Sequence, residues 1–181
     1  MKWFSRLLLL LTGWKITGNY RNDIKKKIII MAPHTSSWDL GVGLMCRPLM
    51  NDQIYFVAKK EAFEPRWVGV VLRWLGGIPV NRSKSTNFVR AVVNEFEKRD
   101  RLTIVLTPEG TRKKVTKLKS GFYYMARKGD LPIIMCAVDY PTKIVHFSDP
   151  VYLSEHMEAE LKKIERYFKP YTGLHPEKSF N

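Results

Sequence analysis

The chain is poor in the residues that most often announce a chemistry. Only two cysteines, Cys46 and Cys136, occur in 181 residues, far apart and each in an apolar stretch. That excludes a disulfide framework or a thiolate metal cluster and suits buried, reduced thiols. The four histidines, His34, His146, His156 and His175, have neither ligand spacing nor cysteine neighbours, so no metal site is expected. There is no G-x-S-x-G elbow, no G-x-x-x-x-G-K-[ST] loop and no G-x-G-x-x-G turn, which removes the usual serine-hydrolase, P-loop and dinucleotide-binding frameworks. No Ser/Gly/Pro-rich linker divides the chain, and no apolar run approaches the roughly 20 residues of a membrane-spanning helix. Acidic residues are scarce too. Seventeen Asp and Glu against 31 Lys and Arg leave a net charge of +14, an excess that calls for an anionic partner such as a lipid surface or nucleic acid.

What is present suits one globular domain: 45% of residues are hydrophobic and 27% charged. Residues 1–20 stand apart, with a basic start and the run Leu7-Leu8-Leu9-Leu10-Leu11, but no small-residue cleavage site follows at Trp14-Lys15-Ile16. This segment is expected to be an amphipathic membrane-interfacial helix, with Trp3 and Trp14 at headgroup level and Lys2, Arg6 and Lys15 toward anionic lipid. The rival is a helix docked on the protein's own core. Residues 21–170 form the expected domain, and residues 171–181 a loosely held tail.

Ile28-Ile29-Ile30-Met31-Ala32 reads as a buried strand stopped at Pro33. Further strands are expected at 54–58, 78–80, 102–106 and 132–138, with edge strands at 143–147 and 151–153. Helices are expected at 38–50, 66–75, 85–99, 120–128 and 154–168. The clearest is 85–99, where Phe88, Val89, Val92, Val93 and Phe96 share one face. Strands alternating with helices predict an α/β fold with a mainly parallel central sheet flanked by helices. In such sheets the ligand crevice lies beyond the carboxyl ends of the strands, where this sequence places Pro33-His34, Asn81-Arg82 and Pro108-Glu109-Gly110-Thr111-Arg112.

His34 and Asp39 lie five positions apart, about 500° on a continuous helix. If His34 instead occupies the turn before a helix that Asp39 opens, the carboxylate can fold back onto the imidazole and make it a general base. The competing reading is a capping box with Ser36 as the cap. Glu109-Gly110-Thr111-Arg112 offers a phosphate loop: a guanidinium for bidentate contact, a hydroxyl donor and a glycine that admits backbone amides. Arg82 and Lys119 could extend the basic surface.

Together, Pro33-His34-x4-Asp39, Gly77-Ile78-Pro79-Val80-Asn81-Arg82, Glu109-Gly110-Thr111-Arg112 and Leu131-Pro132-Ile133-Ile134 resemble the four motif blocks of the glycerophospholipid (lysophosphatidic acid) acyltransferase family. The resemblance covers residues 28–140. It implies transfer of a fatty acyl group from acyl-CoA or acyl-ACP to the free hydroxyl of a lysophospholipid such as 1-acyl-sn-glycerol 3-phosphate, with no cofactor beyond that co-substrate. It implies His34 as base, Asp39 as its orienting partner, and Glu109, Gly110, Thr111 and Arg112 as the acceptor-phosphate loop, assisted by Arg82. It further implies an anionic membrane surface as partner, acyl carrier protein as a candidate partner, no nucleic acid, and a place on the cytoplasmic face of an inner membrane. Pro33, Pro79, Asn81, Lys113 and Met135 depart from residues common in the family. The alternatives are the same chemistry on another lyso-lipid, a thioesterase, or a basic membrane-binding module without activity.

Overall fold

A computed structural model describes residues 2–81 and 85–180. The isoleucine run is a strand, β2 (Lys26–Ala32), buried on both faces. Ile28, Ile30 and Ala32 enter one core cluster, while Ile29 enters a second against which Met31 packs. A strand apolar on both sides needs paired neighbours and helices above and below. β2 has them, in β5 (Leu102–Leu106) and β6 (Ile133–Asp139), each parallel to it. β3 (Ile54–Lys59) and β4 (Gly77–Val80) continue the parallel sheet beyond β5. On the other side β7 (Ile144–Phe147) runs antiparallel to β6, and β1 (Lys15–Gly18) pairs parallel with β7. The order is β1-β7-β6-β2-β5-β3-β4.

Helices α1 (Lys2–Thr12), α2 (Trp38–Met50) and α3 (Arg66–Trp74) lie on the Ile29 face. Helices α4 (Ser85–Glu97), α5 (Gly121–Gly129) and α6 (Met157–Phe168) cover the Ile28 face with Val92, Phe96, Met125, Ile164 and Phe168. This division follows from right-handed crossovers that run outward from β2 to β4 and then back through β5 to β6. The carboxyl ends of β2 to β6 consequently share one edge of the sheet.

Three expectations change. Residues 151–153 form no strand; Val151 makes only an isolated bridge to Ile133. Residues 15–18, expected as the flank of the N-terminal helix, are strand β1, whose largely exposed residues carry no apolar alternation. The tail is docked rather than loose. Tyr140 N–H donates to Thr172 O at 2.9 Å, Thr172 N–H to Asp139 Oδ1 at 2.8 Å and His175 N–H to Thr35 Oγ1 at 3.1 Å, and Ser179 and Phe180 are buried. In α1, Ser5 and Leu9 are buried while Trp3, Phe4, Leu10 and Leu11 are exposed, so the helix rests on the core and still presents an apolar outer side. Trp14, half-buried, packs edge-on against Tyr140, with centroids 5.1 Å apart. No described helix is long and apolar enough to cross a membrane.

The amino edge of the sheet is closed by charge. Lys27, with no exposed surface, donates to Asp52 Oδ2 at 2.5 Å and to Ile24 O at 2.9 Å. Thr103 and Tyr20 hydroxyls donate to the same Asp52 oxygen at 2.8 Å. Burial pushes the Asp52 carboxyl up, but hydrogen bonds from Lys27, Thr103 and Tyr20 outweigh it and leave its pKa lowered. Removing one partner of a buried pair strands the other. Asp52→Asn is therefore expected to cost about 3–5 kcal/mol in urea denaturation, and Lys27→Met/Asp52→Asn to recover part of that loss. An Asp52→Asn chain as stable as wild type would show that the pair does not hold this edge.

Candidate active site

β2 ends at Ala32, and α2 does not begin until Trp38, so His34 sits in the connecting turn and Asp39 in the first turn of the helix. This resolves the five-residue spacing. Asp39 Oδ2 accepts from His34 Nδ1 at 2.8 Å and from the N–H groups of Thr35 and Ser36 at 3.1 Å each. Asp39 Oδ1 accepts from the Tyr140 hydroxyl at 2.8 Å. The Asp39 side chain has no exposed surface, whereas His34 keeps 17%. The capping and catalytic readings thus coincide in one carboxylate. Ser36 N–H is satisfied as a capping box would require, while Ser36 Oγ accepts from Trp38 N–H at 3.2 Å and the cap residue Ser37 makes no side-chain bond.

A carboxylate only accepts, so the bond at Nδ1 places the imidazole proton there and leaves a lone pair on Nε2. Arg112 agrees with that tautomer, because its Nε–H is directed at His34 Nε2 from 3.4 Å. The result is an imidazole oriented by a buried carboxylate, with its Nε2 facing a guanidinium.

The loop after β5 supplies the rest. Gly110 has φ +66°, a conformation that favours glycine, and the Lys119 side chain crosses beside it, 2.8 Å from where a Cβ would stand. Lys119 N–H also donates to Pro108 O at 2.8 Å. Thr111 Oγ1 accepts from Lys113 N–H at 3.2 Å. Glu109, expected within the phosphate loop, turns inward instead. It is 2% exposed, and its Oε2 accepts the backbone N–H of His34 at 2.8 Å. Glu109 Oε1 is buried with no hydrogen-bond partner among the described residues. Burial raises the Glu109 pKa to about 7; the His34 N–H lowers it in part and the Asp39 charge adds to the rise. Arg82 lies outside the described residues. Of the remaining expected site residues, His34, Asp39, Gly110, Thr111 and Arg112 line one cavity, and Lys119 backs its loop.

That cavity, about 990 Å³, runs between α2 and the sheet. Its mouth is basic, with Arg112, Lys113 and Lys178 beside His34, and its interior is apolar, with Ile29, Met31, Val42, Val105, Cys136 and Phe147 among its walls. Burial pushes the Cys46 thiol on this wall up to about 12, so it serves as apolar lining. Sequence reasoning missed Tyr140 and Lys178. Tyr140 follows β6 with no motif around it, and its pKa is raised by burial and by its bond to Asp39. Lys178 reaches the mouth only because the tail folds back. Among the described residues no group of three His, Cys, Asp or Glu side chains could hold a metal ion.

A family model described as Acyltransferase matches residues 14–139. The 1-acyl-sn-glycerol-3-phosphate acyltransferase of Bacillus subtilis is 27% identical over 141 residues, which is 75% of this chain and 67% of that protein. The protein of the same name in Salmonella typhimurium is 28% identical over 165 residues, 81% of this chain and 63% of that one. Human 1-acyl-sn-glycerol-3-phosphate acyltransferase beta is 26% identical over 140 residues, 73% and 49% of the two chains. The match thus spans from half to two thirds of these relatives' length. Among solved structures, the 1-acyl-sn-glycerophosphate (LPA) acyltransferase PlsC from Thermotoga maritima shares the fold, with TM-score 0.60, 19% identity, and coverage of 92% of this chain and 74% of that one.

Glu109 makes stability depend on pH. Its pKa rises from 4.5 to about 7 on folding, so the native state binds more protons than the unfolded state between those values. The contribution is fully present below 4.5 and is lost as pH climbs toward 7. Glu109→Gln keeps an acceptor for His34 N–H and removes the ionisation. Its melting temperature is expected to gain on wild type as pH rises from 5 to 8. A constant difference between the two chains across that range would contradict the assignment.

Proposed function

The chain belongs to the acyltransferase family, and on that premise we propose that it moves a fatty acyl group from an acyl thioester to the free hydroxyl of 1-acyl-sn-glycerol 3-phosphate. The observation that carries this reading is the 2.8 Å bond between His34 Nδ1 and the buried Asp39, with Nε2 presented at the basic mouth of an apolar cavity. The acceptor hydroxyl gives its proton to His34 Nε2 as its oxygen bonds to the thioester carbonyl carbon. Asp39 stabilises the imidazolium so formed. The tetrahedral adduct then expels sulfur, which takes the proton from Nε2 and leaves as thiol, and the diacyl product forms with no net change in the enzyme. Donor choice follows the same reading: coenzyme A or acyl carrier protein carries the acyl chain, and neither a metal nor a redox cofactor takes part.

Arg112 and Thr111 are the residues proposed to meet the acceptor phosphate, with Arg82 and Lys119 assisting. Glu109 is proposed to position His34 through its backbone rather than to touch the acceptor. The apolar wall of Ile29, Met31, Val105 and Phe147 supports a role in holding an acyl chain. The proposed location is the cytoplasmic face of the inner membrane, which a lipid acceptor and a cytoplasmic donor would suit. The apolar outer side of α1, with Trp3 74% and Leu11 73% exposed, supports its lying in the headgroup layer.

Thiol release from a long-chain acyl thioester tests the chemistry. Release by wild type is expected to need 1-acylglycerol 3-phosphate, to yield the diacyl lipid and to vanish in His34→Ala. Asp39→Asn is expected to lose turnover by a factor on the order of 10⁴. Release that ignores the acceptor would mean a thioesterase, and release with another lyso-lipid alone would change the acceptor. Arg112→Ala is expected to raise the KM for the phosphate acceptor with a smaller effect on kcat; an unchanged KM would remove Arg112 from phosphate binding.

A further inference from the structure

We propose that helix α3 is a second membrane-docking element, inserting one side into an anionic phospholipid surface while its other side walls the catalytic cavity. The geometry is unusual for a surface helix. Trp67, Val70, Val71 and Trp74 fall at i, i+3, i+4 and i+7, one continuous stripe, and their exposures are 77, 65, 48 and 79%. The most apolar side of the helix therefore faces outward. Its inner side is already occupied, since Leu72 and Leu75 line the same cavity as His34 and Arg112.

The helix cannot roll to bury the outer stripe. Gly69 lies so close to the preceding 3-10 turn (Lys60–Phe63) that a Cβ there would stand 2.4 Å from Phe63 O. The Arg73 guanidinium sits over the Phe63 ring at 5.4 Å, and α2 reaches across through Arg47, whose Nη1 donates to Leu75 O at 2.6 Å. These contacts fix the rotation with both tryptophans outward.

The chemistry of the stripe selects a lipid surface over a protein one. Tryptophan near each end of a short helix suits the headgroup boundary, where an amphipathic ring sits well. The helix carries Arg66 and Arg73 and no carboxylate, and long cationic side chains can snorkel to phosphates while the stripe sinks. A second copy is a poor occupant. Two such faces brought together would oppose their own arginines on a chain of net charge +14. Because the lipid substrate belongs to the proposed function, the link from docking to substrate access rests on that reading; the docking does not. A helix with lipid on one side and the acyl cavity on the other would shorten the route of an acyl chain from bilayer to His34.

The double variant Trp67→Ser/Trp74→Ser tests this in the full chain, because both side chains are mostly exposed and the fold should be spared. Co-flotation with vesicles of phosphatidylethanolamine and phosphatidylglycerol is expected to show a partition coefficient lowered by about tenfold or more, with an unchanged melting temperature. Binding equal to wild type would overturn the proposal. Trp3→Phe/Trp14→Phe/Trp38→Phe leaves only Trp67 and Trp74 as fluorophores, and their emission is expected to shift blue and to be quenched when the vesicles carry brominated acyl chains. Emission unmoved by vesicles would also overturn it, as would self-association of wild type that the double variant abolishes while vesicle binding persists. If the proposed function holds, the double variant loses transfer to vesicle-borne acceptor while detergent-dispersed acceptor is used as by wild type. If no chain shows transfer, that function has failed while the flotation result still stands.

Discussion

One buried carboxylate organises the working end of this molecule. Asp39 has lost its water, and a charge in that position persists only when donors replace the lost hydration. Four do so: the His34 ring, two backbone N–H groups of the turn, and the Tyr140 hydroxyl. The same bonds that make the buried carboxylate tolerable set the shape of the turn, the orientation of the His34 ring and the distance from β2 to the end of β6. Since β2 and β6 are paired up to Ala32 and Ala137, the strand register brings the Tyr140 hydroxyl to the carboxylate, while the other three donors come from the turn itself. The geometry of the His34–Asp39 pair is thereby set jointly by the turn and the sheet.

The two edges of the sheet are treated differently. At the amino edge, Lys27, Asp52, Tyr20 and Thr103 satisfy one another, and the closed network ties β2, β5 and the loop ahead of β3 together. At the carboxyl edge, Glu109 retains an oxygen without a partner among the described residues and a pKa near 7, while Arg112 reaches His34 only at 3.4 Å. Polar groups left short of partners are destabilising. Glu109 Oε1 is one such group, and its carboxylate lies beside the turn that carries His34.

The parallel sheet was legible because Ile28-Ile29-Ile30 and Leu102-Thr103-Ile104-Val105-Leu106 are apolar on both faces, a pattern that only covered strands tolerate. The pairing of His34 with Asp39 was legible as a possibility, and the turn between Ala32 and Trp38 decided it. Elements held by the rest of the fold were not legible. β1 has no alternation of its own and exists because β7 offers an edge. Tyr140 carries no local signal, since its role arises from the pairing of β6 with β2. The tail reads as polar and breakable, yet Thr172 and His175 find backbone and hydroxyl partners that sequence cannot supply. In α3 the apolar residues were plain, but an outward stripe and an inward one look alike until Gly69 and Phe63 fix the rotation.

The contact between Arg112 and His34 bears on the order of events under the proposed function. On that reading, the guanidinium of the free enzyme is directed at the lone pair that would take the acceptor's proton and covers it. The contact is long and its acceptor is neutral, which makes it weak beside the charge-assisted, bidentate bonds a phosphate offers to arginine. An anionic acceptor would draw Arg112 away by virtue of its own charge and expose Nε2 as its hydroxyl arrives. Water brings no such charge and leaves the mask in place. A site built this way would discriminate transfer from hydrolysis not by excluding water but by leaving the base covered until the acceptor's phosphate uncovers it.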